Sequence, residues 1–205
     1  MSSFDINAIA WDKVDNLVPA IVQDKNSLRV LMLGYMNREA LQATLDTQRV
    51  TFFSRSKQRL WQKGETSGHI LALKDIKLDC DQDTLLIVAE PHGPTCHNGT
   101  ITCWGDDEAP SLATLADLAA TIQQRSSDPK PESYTAKLFA AGLTRIAQKV
   151  GEEGVETALA GATKAANLDD EAADLLYHLL VLLQASGRSL DDVLKILHLR
   201  SKAKK

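Results

Sequence analysis

Gly105-Asp106-Asp107-Glu108-Ala109-Pro110 divides the chain into two segments of different composition, and that division decides the fold class. Acidic residues enclosed by Gly and Pro read as a linker. All three tryptophans and all three cysteines precede Asp106, whereas Ala and Leu predominate after it. The expectation is an α+β protein, with a β-rich domain over residues 1–108 and an all-α helical bundle over residues 109–205.

Downstream, apolar residues recur at helical spacing. Ser111 can cap a helix carrying Leu112, Leu115, Leu118, Ala119 and Ile122, which ends in the loop Ser126-Ser127-Asp128-Pro129-Lys130-Pro131. A second helix starts near Ser133 with the stripe Phe139, Leu143, Ile146 and Val150, and a third holds Val155, Leu159 and Ala162. A fourth runs from about Asp170 to Ser186 and stops at Gly187. Ser189 and Asp192 form a capping arrangement for the last, which leads to a frayed basic tail, Lys202-Ala203-Lys204-Lys205.

An acidic constellation sits on these helices. Glu152 and Glu153 stand four and three residues before Glu156, and Glu171 stands three before Asp174 on the next helix. Like charges at these spacings repel by roughly 0.2–0.5 kcal/mol per pair, which a bound divalent cation would reverse. A solvated helix face is the competing reading. Gly151 and Gly154, each costing about 1 kcal/mol in a helix interior, point to close packing or a bend beside the cluster.

Upstream, Val18 to Val22 and Leu28 to Leu33 read as strands joined by Asp24-Lys25-Asn26-Ser27, and Asn37 can cap a short helix with Leu41 and Leu45 one turn apart. Thr51-Phe52-Phe53-Ser54 begins as a strand and turns basic. If the segment stays extended, Arg55, Lys57, Arg59, Trp61 and Lys63 share one face, offering cations and an aromatic plane to a phosphorylated ring compound. Thr66-Ser67-Gly68 adds donors. An edge strand guarded by positive charge is the alternative.

Asp79-Cys80-Asp81-Gln82-Asp83 precedes the apolar strand Leu85-Leu86-Ile87-Val88-Ala89. Extended, it puts three carboxylates on one face and the thiol on the other, suiting magnesium and zinc respectively; an acidic turn is the alternative. Glu90 to Gly99 is a loop by its Pro and Gly content. Cys80, Cys96 and Cys103, with no obvious fourth ligand, would leave zinc an open position, the pattern of a catalytic site. His97 is open to three roles: fourth ligand, proton shuttle or loop residue.

The 205 residues suffice for one large or two small domains, and a formal charge of −4 speaks against a general nucleic-acid binder. Met1-Ser2-Ser3-Phe4-Asp5 lacks the basic segment and apolar run of a secretory signal. The apolar run around Leu175 to Gly187 is shorter than the ~20 residues that span a bilayer. No membrane and a cytoplasmic location are therefore expected, and in a reducing compartment an odd cysteine count makes a disulfide framework unlikely.

The first half resembles phosphoribosyl-AMP cyclohydrolase. The motifs are Leu33-Gly34-Tyr35-Met36-Asn37, Ser54 to Trp61, Lys63 to His69, Asp79 to Asp83 and Gly93-Pro94-Thr95-Cys96-His97. The second half resembles phosphoribosyl-ATP pyrophosphatase through Ser133 to Leu138, Lys149 to Glu156 and Glu171 to His178. Together they cover nearly the whole chain, in the order of the fused bifunctional enzyme of histidine biosynthesis.

That resemblance implies two consecutive hydrolyses. Phosphoribosyl-ATP would lose pyrophosphate at magnesium held by Glu152, Glu153, Glu156, Glu171 and Asp174, with Glu153 as general base and Lys149 and Arg145 at the phosphates. Phosphoribosyl-AMP would then be opened at N1–C6 with zinc on Cys80, Cys96 and Cys103 and magnesium on Asp79, Asp81 and Asp83. His69 and His97 would act as acid or base, and Arg55, Lys57, Trp61, Lys63 and Ser67 would bind substrate. A homodimer is implied, Cys80 of one chain completing the zinc site of the other. The Glu-x-x-Glu and Glu-x-x-Asp helices also resemble house-cleaning nucleotide pyrophosphohydrolases, and a metal-dependent nucleotide sensor is a further alternative; the basic segment and the three-cysteine set speak against both.

Overall fold

The computed structural model of the protein describes residues 4–106, 111–130 and 132–203. The expected boundary at 108/109, the linker from Asp107 to Pro110, Pro131, Met1 to Ser3, and Lys204 and Lys205 lie outside the described residues. The chain separates into two compact units, Met1–Ala113 and Thr114–Lys205. The first is strand-rich and the second helical, as an α+β chain requires.

The first unit contains β1 (Val18–Asp24), β2 (Val30–Met36), α1 (Arg38–Thr47), β3 (Thr51–Ser54), β4 (Arg59–Gln62), β5 (Leu71–Leu78) and β6 (Leu85–Pro91). Alternation decides its core: Val18, Ala20 and Val22 on β1 and Leu85, Ile87 and Ala89 on β6 are fully buried, and the residues between them are not. These two strands pair in parallel at the centre of a sheet of order β2-β1-β6-β5, and the outer pairings are antiparallel. Asn37 caps α1 as expected, its side chain accepting from the Ala40 amide at 2.9 Å. Gly34 on β2 is needed because a Cβ there would stand 2.4 Å from the Phe52 ring. Leu28, at φ +59°, lies in the turn, so β2 starts two residues later than expected.

The structure decides between the readings of two segments and adds a strand. The basic segment is not one extended face: β3 and β4 form an antiparallel hairpin pairing Ser54 with Arg59, and residues 55–58 are its turn. The Lys57 amide donates to Ser54 Oγ, and Gln58 takes φ +48°. Reversal at the turn takes Arg55 away from Trp61, whereas Lys57, Trp61 and Lys63 still line one cavity. Asp79 to Asp83 takes the acidic-turn reading rather than the extended one, lying between β5 and β6 and closed by the Asp79 amide on the Thr84 carbonyl. The strand at β5 was not foreseen, because a register shift between Leu73 and Asp75 interrupts its alternation.

In the second unit, α2 (Ala113–Ser127), α3 (Tyr134–Ala141), α4 (Leu143–Thr163), α5 (Leu168–Ala185) and α6 (Leu190–Ala203) enclose Ile122, Leu138, Ile146, Leu180 and Val181. Gly142, at φ +86°, breaks the stripe expected to run from Phe139 to Val150, and Leu143 is exposed. The first part of the second expected helix is α3, and its later part merges with the third into α4, which runs unbroken across Gly151 and Gly154. Leu175 Cδ1 would lie 3.9 Å from a Cβ on Gly154. Ser189 and Asp192 cap α6 reciprocally, and that helix extends through Lys202 rather than fraying there. No helix among the described residues is long and apolar enough to cross a membrane.

Candidate active sites

At the β5–β6 turn, Asp79, Asp81 and Asp83 each offer an oxygen within 4.8 Å of the others. Asp79 Oδ1 accepts from the amides of Asp83 (3.0 Å) and Thr84 (3.1 Å). Desolvation pushes its carboxyl up, but those amides outweigh it and hold the group below its usual range. Convergent, half-exposed hard oxygens fit magnesium or a similar cation. A residue the sequence reading did not single out joins them: Lys13 donates to the Asp81 carbonyl oxygen at 2.7 Å and lies 3.8 Å from its carboxylate. No local pattern signals a contact spanning so many positions.

The loop after β6 lines a cavity of about 570 Å³ that gathers Lys57, Trp61, Lys63, Ser67, His69, Cys96, His97 and Cys103. The Cys103 amide donates to Leu31 on β2, and the Cys96 amide to Thr100, which fixes the hairpin carrying both thiols. Gly64 and Gly93 let the His69 backbone and ring approach closely. Cys96 is pulled down by the Asn98 amide and Thr100, whereas Cys103 is pushed up by burial and by Cys96. Lys63 is buried, and desolvation lowers its ammonium despite both nearby sulfurs. Cys96 Sγ lies 3.8 Å from His97 Nδ1. A pair of soft sulfur donors beside an imidazole fits zinc.

Two expected partners are elsewhere. Arg55 stacks on Tyr35, 3.9 Å from the ring centroid, on the other flank of the hairpin turn with Asn37 and Gln58. Cys80 sits at the β5 edge of the sheet, whereas Cys103 is tied to β2 at the opposite edge. Three strand spacings separate those edges by about 14 Å, so the three thiols cannot share one ion within a single chain.

On the second unit, Glu153 and Glu156 of α4 and Glu171 of α5 bring oxygens within 4.8 Å of one another. The Thr157 hydroxyl lies 2.7 Å from the Glu153 carbonyl oxygen and 2.9 Å from that of Glu171, setting the register of the two helices. Glu156 is pushed up chiefly by the charge of Glu153, with burial and Glu171 adding to it; a cation would relieve that repulsion, so the triplet fits one. Lys149, expected at phosphates, donates instead to Glu153 (2.5 Å) and Glu152 (3.0 Å), and its own pKa is raised by them. Glu152 faces Arg145, Gln148 and Lys149, and Asp174 stands outside the triplet.

Residues 32–105 match the family model for phosphoribosyl-AMP cyclohydrolase, and residues 115–201 match that for phosphoribosyl-ATP pyrophosphohydrolase. A Vibrio cholerae protein, "Histidine biosynthesis bifunctional protein HisIE", is 61% identical over 197 residues, covering 95% of this chain and 94% of its own. The same description belongs to proteins of Xanthomonas campestris, 57% identical over 96% of this chain and 95% of its own, and of Campylobacter jejuni, 55% identical over 95% of each. The chain belongs to the HisIE family.

Within this HisIE chain, the thiol cavity and the acidic turn fall in the first matched segment and the carboxylate triplet in the second. Lys13 precedes both segments. His178, buried and quoted in a motif without a role, lies four residues after Asp174 and therefore on the same helix face.

Proposed function

We propose that residues 1–108 open the N1–C6 bond of phosphoribosyl-AMP and that residues 109–205 release pyrophosphate from phosphoribosyl-ATP. The chain is a bifunctional hydrolase of histidine biosynthesis with both activities. What supports the assignment is that each matched segment contains its own polar site.

In the first unit, Cys96 and Cys103 would hold zinc, with Cys80 supplied by a second copy in a homodimer. The separation of Cys80 from the other two thiols supports this sharing. Bound zinc supplies a nucleophilic water at neutral pH by lowering its pKa to about 7. His69 and His97 face the same cavity and would move protons to and from the purine. Trp61 offers a plane for the base, and Lys57, Lys63 and Ser67 offer donors to phosphate oxygens. Arg55 would take the second phosphate, since phosphoribosyl-AMP carries two. Asp79, Asp81 and Asp83 would hold magnesium.

In the second unit, Glu153, Glu156 and Glu171 would hold magnesium, with Glu152 and Asp174 completing the acidic rim. Bound magnesium neutralises triphosphate charge and orients it for in-line attack. Glu153 would take the proton from water, while Lys149 and Arg145 hold the far side of the rim and lend positive charge to the phosphates.

The full chain incubated with phosphoribosyl-ATP should release pyrophosphate and then change its purine absorbance. Pyrophosphate release with no ring opening would remove the first assignment and favour a house-cleaning pyrophosphohydrolase.

A further inference from the structure

We propose that His178 is a positioning residue for the carboxylate triplet, setting its affinity for a divalent cation through one ring that joins α3, α4 and α5. The inference rests on the magnesium reading of that triplet.

His178 is only 4% exposed. Its Nδ1 lies 2.9 Å from the Asp174 carbonyl oxygen, and a carbonyl only accepts, so Nδ1 carries a proton. The same N–H edge stands 3.8 Å from Glu153 Oε1. In the neutral ring Nε2 then accepts from the Tyr134 hydroxyl, 3.2 Å away. Tyr134 and Tyr177 meet the imidazole edge-on, with centroids at 6.1 and 5.0 Å, which fixes the ring plane.

Glu153 Oε1 accepts from Lys149 on its own helix, and the Nδ1 edge of His178 on α5 faces it at 3.8 Å, a polar contact longer than a hydrogen bond because the Nδ1 proton goes to Asp174. Lys149 can orient Glu153 only relative to α4. His178 presents its polar edge to Glu153 from α5, where Glu171 sits, and so adds to the Thr157 bridge in setting how closely the triplet's oxygens converge. Partners one step behind a metal ligand typically alter metal affinity ten- to a hundredfold when removed.

The test uses the full-length chain with Asp81→Asn and Asp83→Asn, which silence the carboxylates of the first unit, and titrates Mn2+ by electron paramagnetic resonance. His178→Gln places its amide near Nε2 and lacks a donor at Nδ1; His178→Asn does the reverse. We expect His178→Gln to weaken Mn2+ binding about tenfold, with His178→Asn within about threefold of the parent. Tyr134→Phe, which removes one hydroxyl from a half-exposed ring, should weaken binding about threefold at unchanged Tm. Unchanged affinity in both His178→Gln and Tyr134→Phe overturns the proposal, and if His178→Gln does not fold, unchanged affinity in Tyr134→Phe overturns it alone. Equal losses in the two His178 variants with a lowered Tm also overturn it, since they mark a packing role. A parent that binds no more Mn2+ than its Glu156→Gln derivative overturns the magnesium reading itself.

Discussion

Gly93 lies so close to His69 that a Cβ on Gly93 would stand 2.7 Å from His69 Cδ2. Its φ of +105° is also a conformation that L side chains rarely adopt. Gly93→Ala should displace the imidazole inside the thiol cavity and strain the backbone by about 1–3 kcal/mol. Misplacement by about 1 Å can cost 100-fold, so ring opening should fall by about that factor while pyrophosphate release persists. Parallel assays on the purified variant check this; unchanged ring opening would show that His69 does no chemistry there.

The two sites should be separable. Cys96→Ala removes one of the paired thiols and should abolish ring opening yet leave pyrophosphate release within about twofold, a change worth less than 1 kcal/mol. Glu156→Ala should do the reverse, lowering pyrophosphate release at least about 100-fold if a metal contributes several kcal/mol to the barrier. Loss of both activities in either variant would contradict separate sites.

The architecture was legible where local chemistry sets it. Alternation on β1 and β6, the Asn37 cap, the Ser189 and Asp192 cap and the compositional break near residue 105 all report on neighbours a few positions away. The site was legible as residue types: most of the expected cavity residues converge, as do three of the five helix carboxylates. What failed depended on chain reversal or long-range packing. The hairpin turn at 55–58 redirected Arg55, the shifted register hid β5, and Gly142, at φ +86°, split the helix expected to run from Ser133 to Val150. Lys13 and His178 act through partners distant in sequence or through burial, neither of which the one-dimensional pattern carries.

Glu90 provides a pH test of stability. Lys74 at 2.7 Å and Lys25 at 2.9 Å pull its carboxyl from 4.5 down to about 2. A depressed folded pKa means a contribution fully present above about 4.5 and lost as pH falls towards 2. Because Glu90 is about one-third exposed, solvent screening limits that contribution to about 1 kcal/mol or less. Glu90→Gln should therefore be less stable at pH 7 in urea titrations, with the gap narrowing between pH 4.5 and pH 3. A gap independent of pH would assign the effect to packing.

The division of the three cysteines between opposite sheet edges leads to a complementation experiment. If zinc takes Cys96 and Cys103 from one copy and Cys80 from its partner, Cys80→Ala and Cys96→Ala should each be inactive in ring opening alone. A mixed dimer then holds one site lacking both a Cys80 and a Cys96, and one site with every ligand intact. Random reassortment of equal amounts makes about half the dimers mixed, so about one quarter of the ring-opening activity should return. Both variants keep the carboxylate triplet, and their pyrophosphate release serves as the control for folding. Mixing Cys96→Ala with Cys103→Ala should restore nothing, because both lesions fall on the same side of every site. No recovery in the first mixture would place all three thiols of a site in one chain and require Cys80 to move across the sheet, whereas recovery in the second would mean that Cys96 and Cys103 of a site come from different copies.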